Sequence, residues 1–326
     1  MIALFDSGYG GLTVLKPILK ALPEYDYLYL GDSARVPYGN RSPEMIKKFA
    51  EEAVEYLFKR GAKVIIFACN AVSSVALSHV QQKYITGAQG LPADRQEHER
   101  AHGASANKAK NLALQVLSRS EPINRKILGV VIPMAEEVVK VTKNGRVGLI
   151  GTRATVNSKV YEKEISKICE KQNHSPIKLY SQATPLLVPL IEEDYHKQPE
   201  AITILKKYLK PLKSANIDTL ILGCTHYPLM LKAITRGMGK KVKVLQSGEI
   251  TAKSLKDYLS RHPEIEKQLK KSPSTVHAHP ANGSLIHGTS SRGTLTILTT
   301  DDPAKFKTFT EKHFGMKIKM PERVVL

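Results

Sequence analysis

This chain predicts a doubly wound α/β architecture of two related lobes, and three observations carry the prediction. Apolar, β-favouring runs alternate with amphipathic stretches along most of the sequence, the pattern of a mostly parallel sheet covered on both faces. Two of those runs, VIIFACNAVSS and TLILGCTHYP, end alike: four or five β-favouring residues, one small residue, a cysteine (Cys69 or Cys224), then an Asn or Thr suited to cap a following helix. Carboxyl ends of strands in such a sheet open onto the ligand crevice, so each lobe should deliver one thiol to a shared cleft.

In chain order the expected strands are IALF, YLYLG, KVIIFA, ILGVVI, RVGLIG, TLILG, KVKVL and TLTILT. After the first comes DSGYGG, residues 6–11, a Gly-rich turn into a helix expected to end near Ala21. Such a turn offers backbone N–H groups and a positive helix end to an anion. It is not GxGxxG and lacks the lysine of a P-loop, but Asp6 and Ser7 add side chains suited to an ammonium or a carboxylate. The second strand runs into a loop ending Pro37, Tyr38, Gly39, where a rigid proline and a glycine let backbone approach a ligand and the phenol supplies a directional donor. From residue 43 to about 60 a helix is expected: Pro43 suits its first turn, Met45, Phe49, Ala53, Tyr56 and Leu57 recur at helical spacing, and Gly61 ends it.

Two regions break the alternation. Residues 85–125 mix Gly, Pro, Ala and charge, with one short helix expected around Leu112 to Leu117, and read as an inserted surface excursion. Residues 272–293 are rich in Ser, Gly, Pro and His and read as a loop, so His277, His279 and His287 are not taken as a metal tract. The expected division is a first lobe of residues 1–131 plus 249–326, carrying Cys69, and a second of 132–248, carrying Cys224.

Composition narrows the class of protein. The chain has 326 residues, 42% hydrophobic and 24% charged, which is ordinary for a folded protein of two domains. No run approaches the ~18 apolar residues of a membrane helix, and MIALFDSG lacks the flank and core of a signal peptide, so a cytoplasmic location is expected. Three scattered cysteines without a CxxC fit free thiols rather than a disulfide framework or zinc knuckle. The 49 Lys and Arg against 30 Asp and Glu give a net charge of +19, enough to attract anionic metabolites. The excess is dispersed and no nucleic-acid motif organises it, so a nucleic-acid partner is not expected.

DSGYGG, YLGDSARVPYG, ACN and GCTHYP, in this order and at these strand ends, closely resemble the glutamate racemases of the aspartate/glutamate racemase superfamily. Residues 144–156, 185–194 and 298–315 are also similar to that family, so the resemblance covers most of the chain outside the two interruptions. It implies interconversion of L- and D-glutamate without a cofactor, with D-glutamate feeding peptidoglycan synthesis. Cys69 and Cys224 become the catalytic bases on opposite faces of the substrate. Asp6, Glu192 and His226 fall on positions that assist the thiols or hold the amino group, Glu192 being preferred to Glu193. Asp6, Ser7, Pro37, Tyr38, Gly39, Asn70, Ala71, Thr155, Thr225 and His226 fall on substrate-contacting positions. The partner is then a small molecule, with no membrane involved; a homodimer is compatible with the sequence, which leaves the oligomeric state open.

The residue types make chemical sense independently. Inverting an α-carbon requires taking a proton from one face and returning one to the other, so two groups flanking a flat intermediate are the minimum. A free thiol of pKa near 8.5 is only about 3% ionised at pH 7, so one sulfur must be charged while the other keeps its proton. Helix starts after both cysteines, and His226, are expected to favour the thiolate. No PLP lysine motif is apparent, so backbone N–H groups and polar side chains must take the developing charge, in a cleft that excludes water.

The chain departs from the family at Ala71, where the family usually has Thr after Cys-Asn, and at Leu245, Gln246, Ser247, where it often has Val-Asp-Ser. The first removes a hydroxyl from the site; the second is expected to matter little. Cys169, in EKEISKICEK, is expected in the core, and Cys224 with His226 lacks a matching ligand pair, so no metal is expected. Two alternatives remain: an aspartate racemase of the same superfamily, which His226 after Cys-Thr disfavours, and a catalytically reduced binding protein using its basic surface.

Overall fold

Continuous aliphatic runs that end on Gly, Ala or Asp become strands buried on both faces. The computed structural model describes residues 1–86, 125–270 and 293–326. In them the strands are β1 (Ile2–Asp6), β2 (Tyr27–Gly31), β3 (Val64–Phe67), β4 (Lys126–Gly129), β5 (Arg146–Gly151), β6 (Lys178–Ala183), β7 (Thr219–Gly223), β8 (Lys243–Leu245), β9 (Leu295–Thr299) and β10 (Glu322–Arg323). They form one sheet of order β10-β9-β2-β1-β3-β4 and another of order β6-β5-β7-β8. Every pairing is parallel.

The two sheets share one winding. In each, the first strand lies between the second and third, with the fourth beyond the third, so β2-β1-β3-β4 repeats as β6-β5-β7-β8. The chain reverses direction of growth beside β1 and again beside β5, and crevices open at the carboxyl ends of strands at such switch points.

The helices are α1 (Leu12–Ala21), α2 (Pro43–Lys59), α3 (Asn70–Val75), α4 (Leu77–Gln81), α5 (Val131–Val141), α6 (Arg153–Asn157), α7 (Val160–Lys171), α8 (Leu187–Glu192), α9 (Pro199–Ser214), α10 (Leu231–Met238), α11 (Ser247–Arg261), α12 (Pro263–Lys270) and α13 (Pro303–Phe314). Side chains of β1 alternate between faces: Ala3 and Phe5 pack with Ile46, Ala50, Val54 and Leu57 of α2, while Ile2 and Leu4 pack toward Leu12 and Leu15 of α1 and Phe306 of α13. The second of these clusters continues through Leu255 and Leu259 of α11 to Ile150, Leu220 and Leu222 of the other sheet. A separate cluster covers the far face of that sheet, where Val147, Leu149 and Ile221 meet α5 and α7; Cys169 lies in it, 4% exposed. No helix among the described residues is long and apolar enough to cross a membrane.

Several local expectations need correction. ILGVVI is strand only through Gly129; Val131 and Ile132 already belong to α5, because a short strand and an amphipathic helix abut there without a polar break. The polar edge strand KLYSQA (β6) has only partly buried or exposed residues and carries no apolar run to announce it. In α2 the buried face is Ile46, Phe49, Ala50, Ala53, Val54, Leu57 and Phe58, whereas Met45 is 40% exposed and Tyr56 only partly buried. The expected helix near Leu112 and nearly all of the inserted segment lie outside the described residues, as do His277, His279 and His287.

α1 and α11 approach closely because Gly248 opens α11: a methyl there would lie 2.4 Å from the Thr13 carbonyl oxygen. Gly248→Ala is expected to cost about 1–3 kcal/mol by overpacking, measured as a lower urea midpoint. An unchanged midpoint would show that the two helices can part freely.

Candidate active site

The carboxyl ends of β1, β3, β5 and β7 converge, and the residues just beyond them line one narrow cavity. Ser7 follows β1; Ala68 continues the β3 direction by donating its N–H to Phe5 O (2.9 Å), and Cys69 comes next; Thr152 follows β5, and Cys224 follows Gly223 of β7. Val36, Pro37, Tyr38 and Gly39 close one side, Asn70, Ala71 and Val188 others, with Thr225 and His226 beside Cys224. The cavity is about 20 Å³, room for one water where a water needs about 10–15 Å³. An amino acid is larger than this, so the cavity must widen to hold one.

Two glycines allow this approach of the lobes. A Cβ on Gly10 would lie 2.4 Å from Thr225 Oγ1 and 2.6 Å from His226 Nδ1, and one on Gly39 would lie 2.4 Å from Thr152 Cβ. Around these contacts Thr225 Oγ1 donates to Asp6 Oδ1 (3.2 Å), Thr13 Oγ1 to Thr225 O (3.1 Å), and Tyr161 Oη to Asn70 Oδ1 (2.6 Å). The last bond sets which end of the Asn70 amide is which, and Nδ2 is left buried with no hydrogen-bond partner.

The surroundings of the two sulfurs differ. Cys69 Sγ lies 3.5 Å from Ser7 Oγ. Burial first, and then the Asp6 carboxylate, push its thiol up to about 12, against the Ser7 hydroxyl and the Val72 N–H; charge on Cys224 adds to the rise. The helix start after Cys69 does act in favour of the thiolate, through the Val72 N–H, but burial and the Asp6 carboxylate outweigh it. Asp6 itself is fully buried, with Oδ2 accepting from Gly8 N (3.0 Å). Burial raises its carboxyl, while His226 and the N–H groups of Gly11 and Gly8 pull the other way.

Cys224 Sγ lies 3.8 Å from His226 Nδ1, and His226 Nε2 lies 3.0 Å from Glu192 Oε1. Burial works against an imidazolium at His226, but the hydrogen bonds to Cys224 and Glu192 and the Glu192 charge outweigh it and hold the ring well above its ordinary value. No α-helix starts directly after Cys224; a 3₁₀ turn, Tyr227–Met230, follows instead. Neither Asn70 nor Thr225 caps a helix with its side chain, since each is turned to the opposite lobe.

Of the residues expected in the site, Ser7, Pro37, Tyr38, Gly39, Cys69, Asn70, Ala71, Cys224, Thr225 and His226 line the cavity. Asp6, Glu192 and Thr155 do not; they stand behind it, Thr155 Oγ1 3.1 Å from Thr152 Oγ1. The Tyr38 phenol, expected as a ligand donor, is spent on Asp32. Sequence reasoning missed Val36, Thr152, Val188 and Gly223 in the lining and Tyr161 behind Asn70. Thr152 was findable, since it follows β5 as Ser7 follows β1; Val188 and Tyr161 carry no local signal.

Two doubly wound lobes, each ending a third strand on a cysteine that faces a common cleft, define an amino-acid racemase, an isomerase. The Asp/Glu/Hydantoin racemase family model matches residues 123–255. A glutamate racemase of Geobacter metallireducens is 33% identical over 317 residues, covering 97% of this chain and 93% of its own length. That of Chlorobaculum parvum is 37% identical over 261 residues, 80% of each chain. Among solved structures, a glutamate racemase of Bacillus anthracis superposes with a TM-score of 0.75 at 29% identity, covering all of this chain and 97% of the other. One of Francisella tularensis in complex with D-glutamate gives 0.72 at 27% identity, over 99% and 97% of the two chains. The chain belongs to the glutamate racemases.

Because the Cys69 proton is held to about 12, this thiol should stay neutral at pH 9, where a free thiol of pKa near 8.5 is mostly ionised. Iodoacetamide labelling followed by peptide mass spectrometry should rise for Cys69 only toward the upper value, and Asp6→Asn should move that midpoint down. A wild-type midpoint near 9 would contradict the assignment of Asp6 and burial as its cause.

Proposed function

We propose that this protein interconverts L- and D-glutamate by proton transfer at the α-carbon between Cys69 and Cys224. The observation that carries the reading is one buried cysteine from each lobe on a single narrow cavity, each with a different polar partner behind it. The α-carbon lies between the sulfurs. In the first half of turnover Cys224, beside the His226 imidazolium that Glu192 holds, removes the α-proton as a thiolate. Cys69, which keeps its proton in this environment, delivers one to the opposite face. The product leaves with Cys69 ionised and Cys224 protonated, the state that runs the reverse reaction.

The planar intermediate carries its charge on the α-carboxylate. Asn70 Nδ2, buried and unpartnered, is the side-chain donor best placed to receive it, with the Ser7 and Thr225 hydroxyls and backbone N–H groups at Ala71 and Gly39 nearby. Ala71 contributes no hydroxyl, so only its backbone can serve. Tyr161 is a positioning residue, fixing the Asn70 amide from the other lobe.

We place the lobe boundaries at 1–131 with 249–326, and 132–248, because the strands of the six-stranded sheet all fall in the first set and those of the four-stranded sheet in the second. Family membership supports a cytoplasmic role in supplying D-glutamate for peptidoglycan, and the net charge of +19 favours capture of an acidic substrate.

The protein is expected to exchange the α-proton of L-glutamate in D2O and to abolish its optical rotation without added cofactor, with L-aspartate as the parallel substrate. Cys69→Ser or Cys224→Ser should nearly eliminate racemisation and Cys169→Ser leave it close to wild type; a Cys69→Ser enzyme of normal rate would sink the two-thiol reading. Tyr161→Phe removes one buried hydrogen bond worth about 1 kcal/mol. It should lower kcat about fivefold with little change in KM, and equal values in the two enzymes would remove Tyr161 from the site's support.

A further inference from the structure

A second cluster of polar side chains lies on the seam between the lobes, away from the thiols. Beyond α8 the chain turns sharply: Asp194 takes a left-handed conformation (φ 57°), its N–H bonds Ile191 O (3.0 Å), and Tyr195 N–H bonds Leu190 O (2.7 Å). This turn brings Asp194 and His196 up to the last turn of α13 in the other lobe. There His313 Nε2 lies 3.4 Å from Asp194 Oδ1, and His196 Nδ1 lies 3.8 Å from the same oxygen. The three atoms all lie within 4.8 Å of one another.

The polar bookkeeping of this cluster is incomplete. His196 is 3% exposed, and its Nδ1 is buried without a hydrogen-bond partner; so is Asp194 Oδ1. The two atoms face each other at 3.8 Å, beyond hydrogen-bonding distance, so neither satisfies the other. The other carboxylate oxygen, Oδ2, is bound by Lys312, and the His313 ring is held by Phe309 at a centroid distance of 4.4 Å. The three ligand atoms are thus oriented and available while the groups around them are already engaged.

We propose that Asp194, His196 and His313 form a site for a divalent transition metal of the Zn²⁺ class, which ties the two lobes together. Two imidazole nitrogens with one carboxylate suit Zn²⁺, Co²⁺ or Ni²⁺ and not the oxygen-seeking Mg²⁺ or Ca²⁺. Bonds of about 2.0–2.2 Å set tetrahedral ligand atoms about 3.3–3.5 Å apart. The observed 3.4 and 3.8 Å are close to that, and side-chain rotation closes the third edge. Lys312 and Lys197 oppose a dication here, so the site binds reversibly rather than serving as a permanent staple. A metal so held would join α13 to the segment immediately after Glu192, the residue that supports His226. The sequence alone suggested no metal because the third ligand lies more than a hundred residues from the other two.

The full-length protein titrated with Co²⁺ is expected to bind one equivalent with the visible d–d bands of a nitrogen and oxygen site and no sulfur-to-cobalt charge-transfer band. Zn²⁺ should displace it and raise the thermal midpoint. His313→Gln and Asp194→Asn should each weaken Co²⁺ binding about a hundredfold or more and abolish the thermal shift, with the metal-free circular dichroism of each unchanged. Absence of saturable absorption in the wild type, a spectrum dominated by sulfur ligation, or equal affinity in His313→Gln would overturn the site. None of these readouts depends on racemisation, so their outcome is separate from that of the proposed reaction.

Discussion

Backbone-to-side-chain contact between the lobes at Gly10 and Gly39 is the constraint on which the site depends. Two sulfurs can flank one carbon only if the carboxyl ends of two separate sheets come within a few ångströms, and any Cβ at these positions would occupy the space that Thr225, His226 and Thr152 fill. The hydrogen bonds from Thr225 to Asp6 and from Tyr161 to Asn70 then lock the same closure from either side of the cavity. The glycines of the first turn thus serve tight packing between lobes more than they serve a phosphate-type cradle.

Identical nucleophiles sit in unlike fields. Cys69 lies near the Asp6 carboxylate, which helps to hold its proton, and Cys224 lies 3.8 Å from the His226 ring. The proposed reaction, which must run both ways, needs one proton on the pair of sulfurs at all times. Asp6 and Glu192 stand behind the cavity lining, Asp6 bonded by Thr225 and Glu192 against His226.

Strands buried on both faces, β1, β2, β3 and β7, were legible because a continuous aliphatic run has few other uses in a short segment. β6 was not, since an edge strand with half-exposed, polar residues lacks that pattern. The cysteines and the residues next to them could be placed by the strand-end rule alone. Thr152, Val188 and Tyr161 depend on how one lobe docks against the other, information that no local window contains. The capping roles expected of Asn70 and Thr225 failed for the same reason: each found a partner across the seam.

A cavity that admits a single water sets a tempo as well as a shape. If the proposed substrate binds here, it associates with molecules whose cavity has widened, and the observed affinity is then the intrinsic affinity multiplied by the fraction of time spent in that form. Every contact that perfects the shut state therefore makes capture rarer while making the bound complex drier. Such a protein is tuned by the balance between these two populations, and residues far from the sulfurs gain leverage over turnover through it.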